Sequence, residues 1–127
     1  MKNYKDLRIY KTSHALATKV HRLSMNLPKF EMYEQGSQVR RSSKSVAANI
    51  VEGYGRKRYR DDFIRFLTFA QSSCDETTFH LSMLSEIHFV DNPLNEILNE
   101  YDILGKKINK FIQYVERNWN KPPDIIE

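Results

Sequence analysis

Apolar residues recur along this chain at alternating separations of four and three, the spacing of helices that bury one stripe. Ile9, Ser13, Leu16, Val20, Leu23 and Leu27 mark the first stripe, widened by Tyr10 and Ala17. It predicts a helix over 7–27, closed by Pro28, because a proline pushes the residue before it out of the helical region. A linker over 28–34 should follow, with Phe30 tucked into the core. The second helix is expected over 35–53. Its rows are Val39, Ser42, Val46, Asn49 and Gly53, then Ser43, Ala47, Ile50 and Tyr54. Rows of small residues let neighbouring helix axes approach toward the low end of the usual range of roughly 8–10 Å. Gly53 and Gly55 are placed to close this helix in the left-handed conformation.

The third helix is expected over 60–89, on Phe63, Leu67, Ala70, Cys74, Thr77, Leu81, Leu84 and His88. Asp61 and Asp62 fall in its first turn, where the helix dipole favours them. Asn92 should cap the fourth helix, with Pro93 at its first position. That helix is expected over 93–119, on Leu94, Ile97, Tyr101, Leu104, Ile108, Phe111 and Val115, with Leu98, Ile112 and Trp119 broadening the face. Four long amphipathic helices joined by short connections define an all-α fold, an antiparallel up-and-down four-helix bundle. One domain should cover 1–119 and a C-terminal tail 120–127. Phe66 and Phe69 lie off the main stripe of the third helix. Each reads as a flanking core position or as part of an interface between copies.

Composition narrows the class without naming a task. A chain of 127 residues with 40% hydrophobic and 28% charged residues is an ordinary single globular domain. No apolar run approaches the roughly 18–20 residues that span a bilayer, so no membrane role is expected. The N-terminus lacks the apolar segment of a secretory signal. The lone Cys74 points to a reducing, cytoplasmic setting. Net charge is +4, but residues 40–65 alone carry +5. The positive field is therefore local.

The residues over 38–56 also carry a family resemblance. The chain resembles the four helix bundle protein family, also called the ribosomal-RNA intervening-sequence proteins, over about 4–119. The strongest part is Gln38-Val-Arg-Arg41 with Asn49-Ile-Val-Glu-Gly53. Tyr4-Lys-Asp-Leu-Arg-Ile-Tyr10, Leu27-Pro-Lys-Phe-Glu31, Phe63-Ile-Arg-Phe-Leu67 and Ser73-Cys-Asp-Glu76 complete it. The family often has Trp at the position of Tyr10, Pro at that of Ala47, and a Gly-Ser pair where Ser72 and Ser73 stand here. The resemblance implies an up-and-down bundle that assembles as a homopentamer, in a family without an established enzymatic activity. A distant relative of this fold, the accessory protein of diversity-generating retroelements, resembles a basic pentamer that binds nucleic acid and a reverse transcriptase.

Two groups of residues are candidates for function. Arg40, Arg41, Lys44, Arg56, Lys57, Arg58 and Arg60 are the candidate nucleic-acid contacts, with Tyr54 and Tyr59 among them to stack on bases. The competing reading is a solvated face with local ion pairs, such as Glu52 with Arg56. Asn49, Glu52, Ser73 and Glu76 form the second group. Buried polar groups need partners, so these read either as a register-fixing network, with Arg40 or Arg41 paired to Glu52 or Glu76, or as a binding site. The network reading expects Glu52→Ala to destabilise the bundle.

No cofactor or metal is expected. Glu76 and His80 are four apart and Glu86 and His88 two apart, whereas a di-metal bundle uses Glu and His three apart. Arg8 and His14 match a helical ribonuclease only loosely, since six residues turn about 600° and leave their side chains about 120° apart. His14 and His21 share one face and read as surface or interface residues. The leading expectation is a non-enzymatic homo-oligomeric adaptor that binds RNA or DNA, or a ribonucleoprotein, through a basic patch. The alternatives are a protein–protein scaffold and a ribonuclease-like enzyme.

Overall fold

The computed structural model describes residues 3–118. Trp119, expected to end the last helix, and the expected tail at 120–127 lie outside the described residues. A 3-10 turn, Tyr4–Asp6, leads into α1 (Arg8–Ser24), followed by α2 (Lys29–Tyr33), α3 (Gln35–Gly55), α4 (Arg60–His88) and α5 (Asn95–Arg117). The first turn is closed reciprocally. Asn3 Oδ1 accepts the Lys5 amide at 2.8 Å and Asp6 Oδ2 accepts the Asn3 amide at 3.3 Å, a capping box. It delivers Leu7, fully buried, to the core.

The four long helices form a closed square. The main contacts are α1 with α3, α3 with α4, α4 with α5, and α5 back to α1. Cross-links at both ends of each pair fix the directions. Gln35 meets His80 while Gly53 meets Phe63, so α3 and α4 are antiparallel. Cys74 meets Tyr101 and Phe63 meets Phe111, so α4 and α5 are antiparallel too. The stripes read from sequence supply the core: Ile9, Leu16 and Val20 from α1, Val39, Val46 and Ile50 from α3. Phe63, Leu67, Leu81 and Leu84 of α4 meet Tyr101, Leu104, Ile108 and Phe111 of α5. Each such side chain contributes about 1.5–3 kcal/mol by leaving water.

Four expectations are corrected. The segment after Pro28 holds a short helix, because the Pro28 carbonyl accepts the Glu31 and Met32 amides at 2.9 and 2.8 Å. On that helix Met32 packs against the core. Phe30, two positions earlier, is turned outward, is 68% exposed and lies beside His88. Neither Gly53 nor Gly55 is left-handed, since no glycine has a positive φ among the described residues. The helix runs through both and ends at Arg56 (φ −106°, ψ 16°). Asn92 does not cap α5 and Pro93 is not its first residue. Leu94 stands at the cap, and its amide is taken by Ser85 Oγ of α4 at 3.0 Å. Helix α1 stops at Ser24, short of 27, and Leu27 is buried beyond its end.

The two glycines of α3 therefore do different work. A Cβ at Gly53 would meet the Phe63 ring and Phe66 Cβ, both at 3.3 Å, whereas one at Gly55 would meet nothing within 4 Å. Gly53→Leu should cost about 1–3 kcal/mol by overpacking. Gly55→Ala should gain about 0.5–1 kcal/mol by lowering the entropy of the unfolded chain. Urea unfolding of the two variants beside wild type checks both signs.

Candidate nucleic-acid interface

Helix α3 sorts the first candidate group by face. Gly36 and Arg40, one turn apart, look toward α1 and α2. A Cβ at Gly36 would meet the Glu31 carbonyl at 3.0 Å, so glycine admits α2 there. Arg40 then ties the junction, donating from Nη1 to Ser24 Oγ at 2.7 Å and from Nη2 to the Met32 carbonyl at 2.9 Å. Arg40 is thus a clasp for α1, α2 and α3 and is paired with no carboxylate among the described residues. Arg41 and Lys44 point outward, exposed, with no ion-pair partner among the described residues.

The turn between α3 and α4 differs. Arg56 lies 3.6 Å from Glu52 and 3.8 Å from Asp62, with its guanidinium 4.8 Å from the centre of the Phe66 ring. Arg60 is held by Asp61 at 2.9 Å, and Arg65 lies 3.4 Å from Asp62. Lys57 bonds the Tyr54 hydroxyl at 2.8 Å and sits over that ring. Tyr54 is buried at 7% exposure, so only Tyr59 at 61% presents an open ring here. Arg58 alone of this cluster is exposed and unpaired among the described residues. Arg41 and Arg56 are also 15 residues apart on one helix, about 22 Å along the axis. The seven residues do not make one continuous patch.

Sequence windows missed the contribution of α1. Over Arg8–Ser24 it has no acid, and Lys11 and Arg22 are exposed. Together α1 and α3 carry Arg8, Lys11, Lys19, Arg22, Arg40, Arg41 and Lys44 against Glu52 alone. Helix α4 carries Arg60 and Arg65 against five acids: Asp61, Asp62, Asp75, Glu76 and Glu86. The detectable signal was the absence of Asp and Glu from the first helical stripe. Between α1 and α3 runs an open groove of about 520 Å³. Ala17 and Ala47 form its floor, His14, Thr18, His21 and Arg22 line it from α1, and Lys44 from α3. Arg8 is not among its lining residues.

The second candidate group separates. Asn49 Nδ2 donates to the Ser45 carbonyl at 2.9 Å and to Ser45 Oγ at 3.0 Å, and Ser45 Oγ lies 3.0 Å from Ser73 Oγ on α4. One turn deeper, Thr77 donates to Ser42 Oγ at 2.8 Å. This is a hydroxyl seam along α3 and α4, built on Ser42, Ser45 and Thr77 as well as Asn49 and Ser73. Glu52 and Glu76 stand outside it, 58% and 54% exposed, paired along their own helices with Arg56 and His80. Each lies on the outward flank of its helix, where water solvates a carboxylate without a buried partner.

The remaining titratable groups are structural. His80 bridges Glu76 and Gln35 at 3.1 Å each. His88 Nε2 and Glu31 Oε2 are 2.8 Å apart, joining α4 to α2, and this hydrogen bond holds the Glu31 carboxyl below its ordinary range. Burial pushes the Cys74 thiol up to about 12, which removes the thiolate needed for nucleophilic chemistry. Burial likewise raises the Tyr101 phenol. Among the described residues no group of three or more His, Cys, Asp or Glu suits a metal ion. No helix there is long and apolar enough to cross a membrane.

An all-helical bundle with a hydroxyl-lined seam and a cationic face is the class of protein that these observations define. The chain belongs to the 23S rRNA-intervening sequence protein family, whose model matches residues 5–110. The fold is similar to the crystal structure of a protein of unknown function from the S23 ribosomal protein family of Bacteroides thetaiotaomicron. The TM-score is 0.61 and the identity 25%, with 84% of this chain and 96% of that chain covered. No curated protein sequence matches the chain.

The geometry reverses one expectation about stability. Arg40→Met removes the donor to the Met32 carbonyl and to Ser24 Oγ, which keeps its own bond to the His21 carbonyl, and should cost about 1–3 kcal/mol. Glu52→Ala loses only an exposed pair and should cost less than about 1 kcal/mol. Denaturant unfolding of both variants measures the difference. Glu31 generates a pH prediction. Its folded pKa lies below the ordinary 4.5, so its stabilisation is complete above that value and is lost as pH falls through the folded one. Glu31→Gln should be less stable than wild type at neutral pH, and the gap should close in acid below about pH 4.5. Unfolding midpoints across a pH series read this directly.

Proposed function

We propose that this protein is a non-enzymatic, homo-oligomeric adaptor that binds nucleic acid, RNA first, in a cytoplasmic setting. The observation that carries the reading is the segregation of charge, with α1 and α3 basic and α4 acidic. A one-sided field of this kind attracts a phosphate backbone without reading its sequence. Of the seven residues first considered, Arg41, Lys44 and Arg58 are the contacts, joined by Lys11 and Arg22. Arg40, Arg56 and Arg60 have partners within the fold, and Lys57 is held on Tyr54. No reaction is assigned. The buried thiol and the absence of Arg8 from the His14 groove offer nothing to a ribonuclease reading.

Self-association is part of the same proposal. Few free cations per chain bind weakly, and repetition around a ring raises their avidity. The outer face of α4 exposes Phe69, Phe79 and Ile87 at 46%, 59% and 53%, an apolar strip suited to contact between proteins. The homopentamer is the assembly implied by the family resemblance. That strip also favours the scaffold alternative, in which the basic face meets an acidic protein.

Fluorescence anisotropy with a structured RNA across a salt series, on material sized by light scattering, tests the proposal. Binding should be clear at low salt and weaken log-linearly as salt rises. Arg41→Ala should make that slope shallower by roughly 0.7–0.9. Absence of binding at low salt would sink the adaptor reading, and a monomer would remove the avidity argument.

A further inference from the structure

We propose that the groove between α1 and α3 seats the backbone of a single nucleic-acid strand whose base stacks on an aromatic cluster at the end of the groove. This inference rests on the adaptor reading and deepens it by naming the site and the form of the ligand. Four of the groove's side chains, His14, His21, Arg22 and Lys44, donate to or attract phosphate, and no carboxylate lines it. The occupant is therefore anionic. Ala17 and Ala47, at 7% and 9% exposure, keep the floor low enough for a backbone to lie in it. His14 and His21 are two helical turns apart, about 10.5 Å.

The preference for a single strand comes from the neighbouring rings. Tyr10 lies 5.8 Å from His14 between ring centres, and Tyr4 packs edge-on against Tyr10 at 4.9 Å. Both tyrosines are only partly buried. A base in a duplex is already stacked and paired, so only an unpaired base can use such a platform. The groove's charges would hold the backbone while the tyrosines take a base. Tyr10 also separates this site from the α3–α4 turn, where Tyr59 is the one open ring and two arginines face two aspartates.

The test compares a labelled single-stranded RNA with the same strand in a duplex, by anisotropy, against four proteins. These are wild type, the double variant Arg22→Glu with Lys44→Glu, Tyr10→Leu, and the charge-matched double variant Lys107→Glu with Lys110→Glu on exposed positions of α5, outside the groove. Wild type should bind the single strand more tightly than the duplex. The groove reversal should weaken it by about ten-fold or more. Tyr10→Leu should weaken the single strand by about five-fold or more and leave the duplex unchanged. The α5 double reversal should lose less than the groove reversal. Leucine keeps the apolar bulk at position 10, and light scattering with thermal melting confirms each variant's fold and mass.

Equal losses from the α5 double reversal and the groove reversal, which change the charge by the same amount, would overturn the groove in favour of diffuse attraction, leaving the adaptor reading standing. Duplex binding as tight as single-strand binding would overturn the stacking platform. A groove variant that changes the oligomer mass instead of the affinity would make the groove a contact between copies and overturn the proposal. Failure of wild type to bind either probe would remove the adaptor reading itself, and this site with it.

Discussion

Helix α3 meets α4 through Ser42, Ser45, Asn49 and Gly53, and the width of that contact sets the rest of the bundle. Hydroxyls and a glycine fill less space than leucines would, so the two backbones come close. At Gly53 there is no room for even one more carbon without displacing Phe63 or Phe66. The closeness obliges every polar group in the contact to find a partner on the spot. Thr77 with Ser42 and the Ser45, Asn49 and Ser73 cluster meet that need. A buried hydroxyl bonded in this way adds little net energy, but an unbonded one costs more than a packed methylene returns. The seam therefore acts on register. Sliding α3 along α4 by one turn would break the Ser42–Thr77 and Ser45–Ser73 bonds together, leaving only the bonds that Ser42, Thr77 and Asn49 make within their own helices.

That commitment of one face decides what the other faces can carry. With α3 locked to α4 by small side chains, its long cationic ones are left for the α1 flank and for water. Arg40 takes the flank and clasps three helices. Arg41 and Lys44 take the solvent side. The same logic explains why the turn after α3 is less basic than its composition. Arg56, Arg60 and Arg65 sit within reach of Glu52, Asp61 and Asp62 because α4 starts with the acids its dipole favours. Charge counted along a segment and charge presented by a surface are different quantities, and only the second attracts a ligand.

The long helices were legible because each buries a stripe whose period the chain displays openly, from Ile9 to Val115. What was not legible depended on a partner distant in sequence. Nothing near Asn92 announces that Ser85 will cap α5 in its place. Phe30 looks like a core residue until Met32, two positions on, takes the inward direction of a helix only five residues long. Gly53 and Gly55 read alike as stop signals, and only the approach of Phe63 and Phe66 separates a packing glycine from an idle one. For the candidate site, Arg41, Lys44 and Arg58 were found by charge density. Lys11 and Arg22 were missed because an absence of acids in α1 leaves no cluster to notice. Glu52 was misread because its helical position was compared with the polar residues beside it rather than with the direction of α4.

The titratable groups that this fold buries are either bonded within it or desolvated, the Tyr101 and Tyr114 hydroxyls having no hydrogen-bond partner among the described residues. Cys74 is raised beyond use, Tyr101 is desolvated, and His80 and His88 bridge helices. What remains free is a surface of cations and rings on α1 and α3. Under the proposed function such a surface would recognise by field and by stacking, and both are weak per contact and additive over many. The architecture suits that arrangement, because the cationic face and the packing seam use neighbouring flanks of one helix, with Arg41 one turn from Ser45. Arg41 and Lys44 are exposed while Ser42, Ser45 and Asn49 bond within the seam, so the two sets differ in role although they are neighbours along α3. Arg40 breaks the separation, since its guanidinium lies at the edge of the cationic face while its hydrogen bonds belong to the core. A loss of binding in an Arg40 variant would therefore report on the clasp of α1 to α3, which shapes the groove, before it reported on any phosphate.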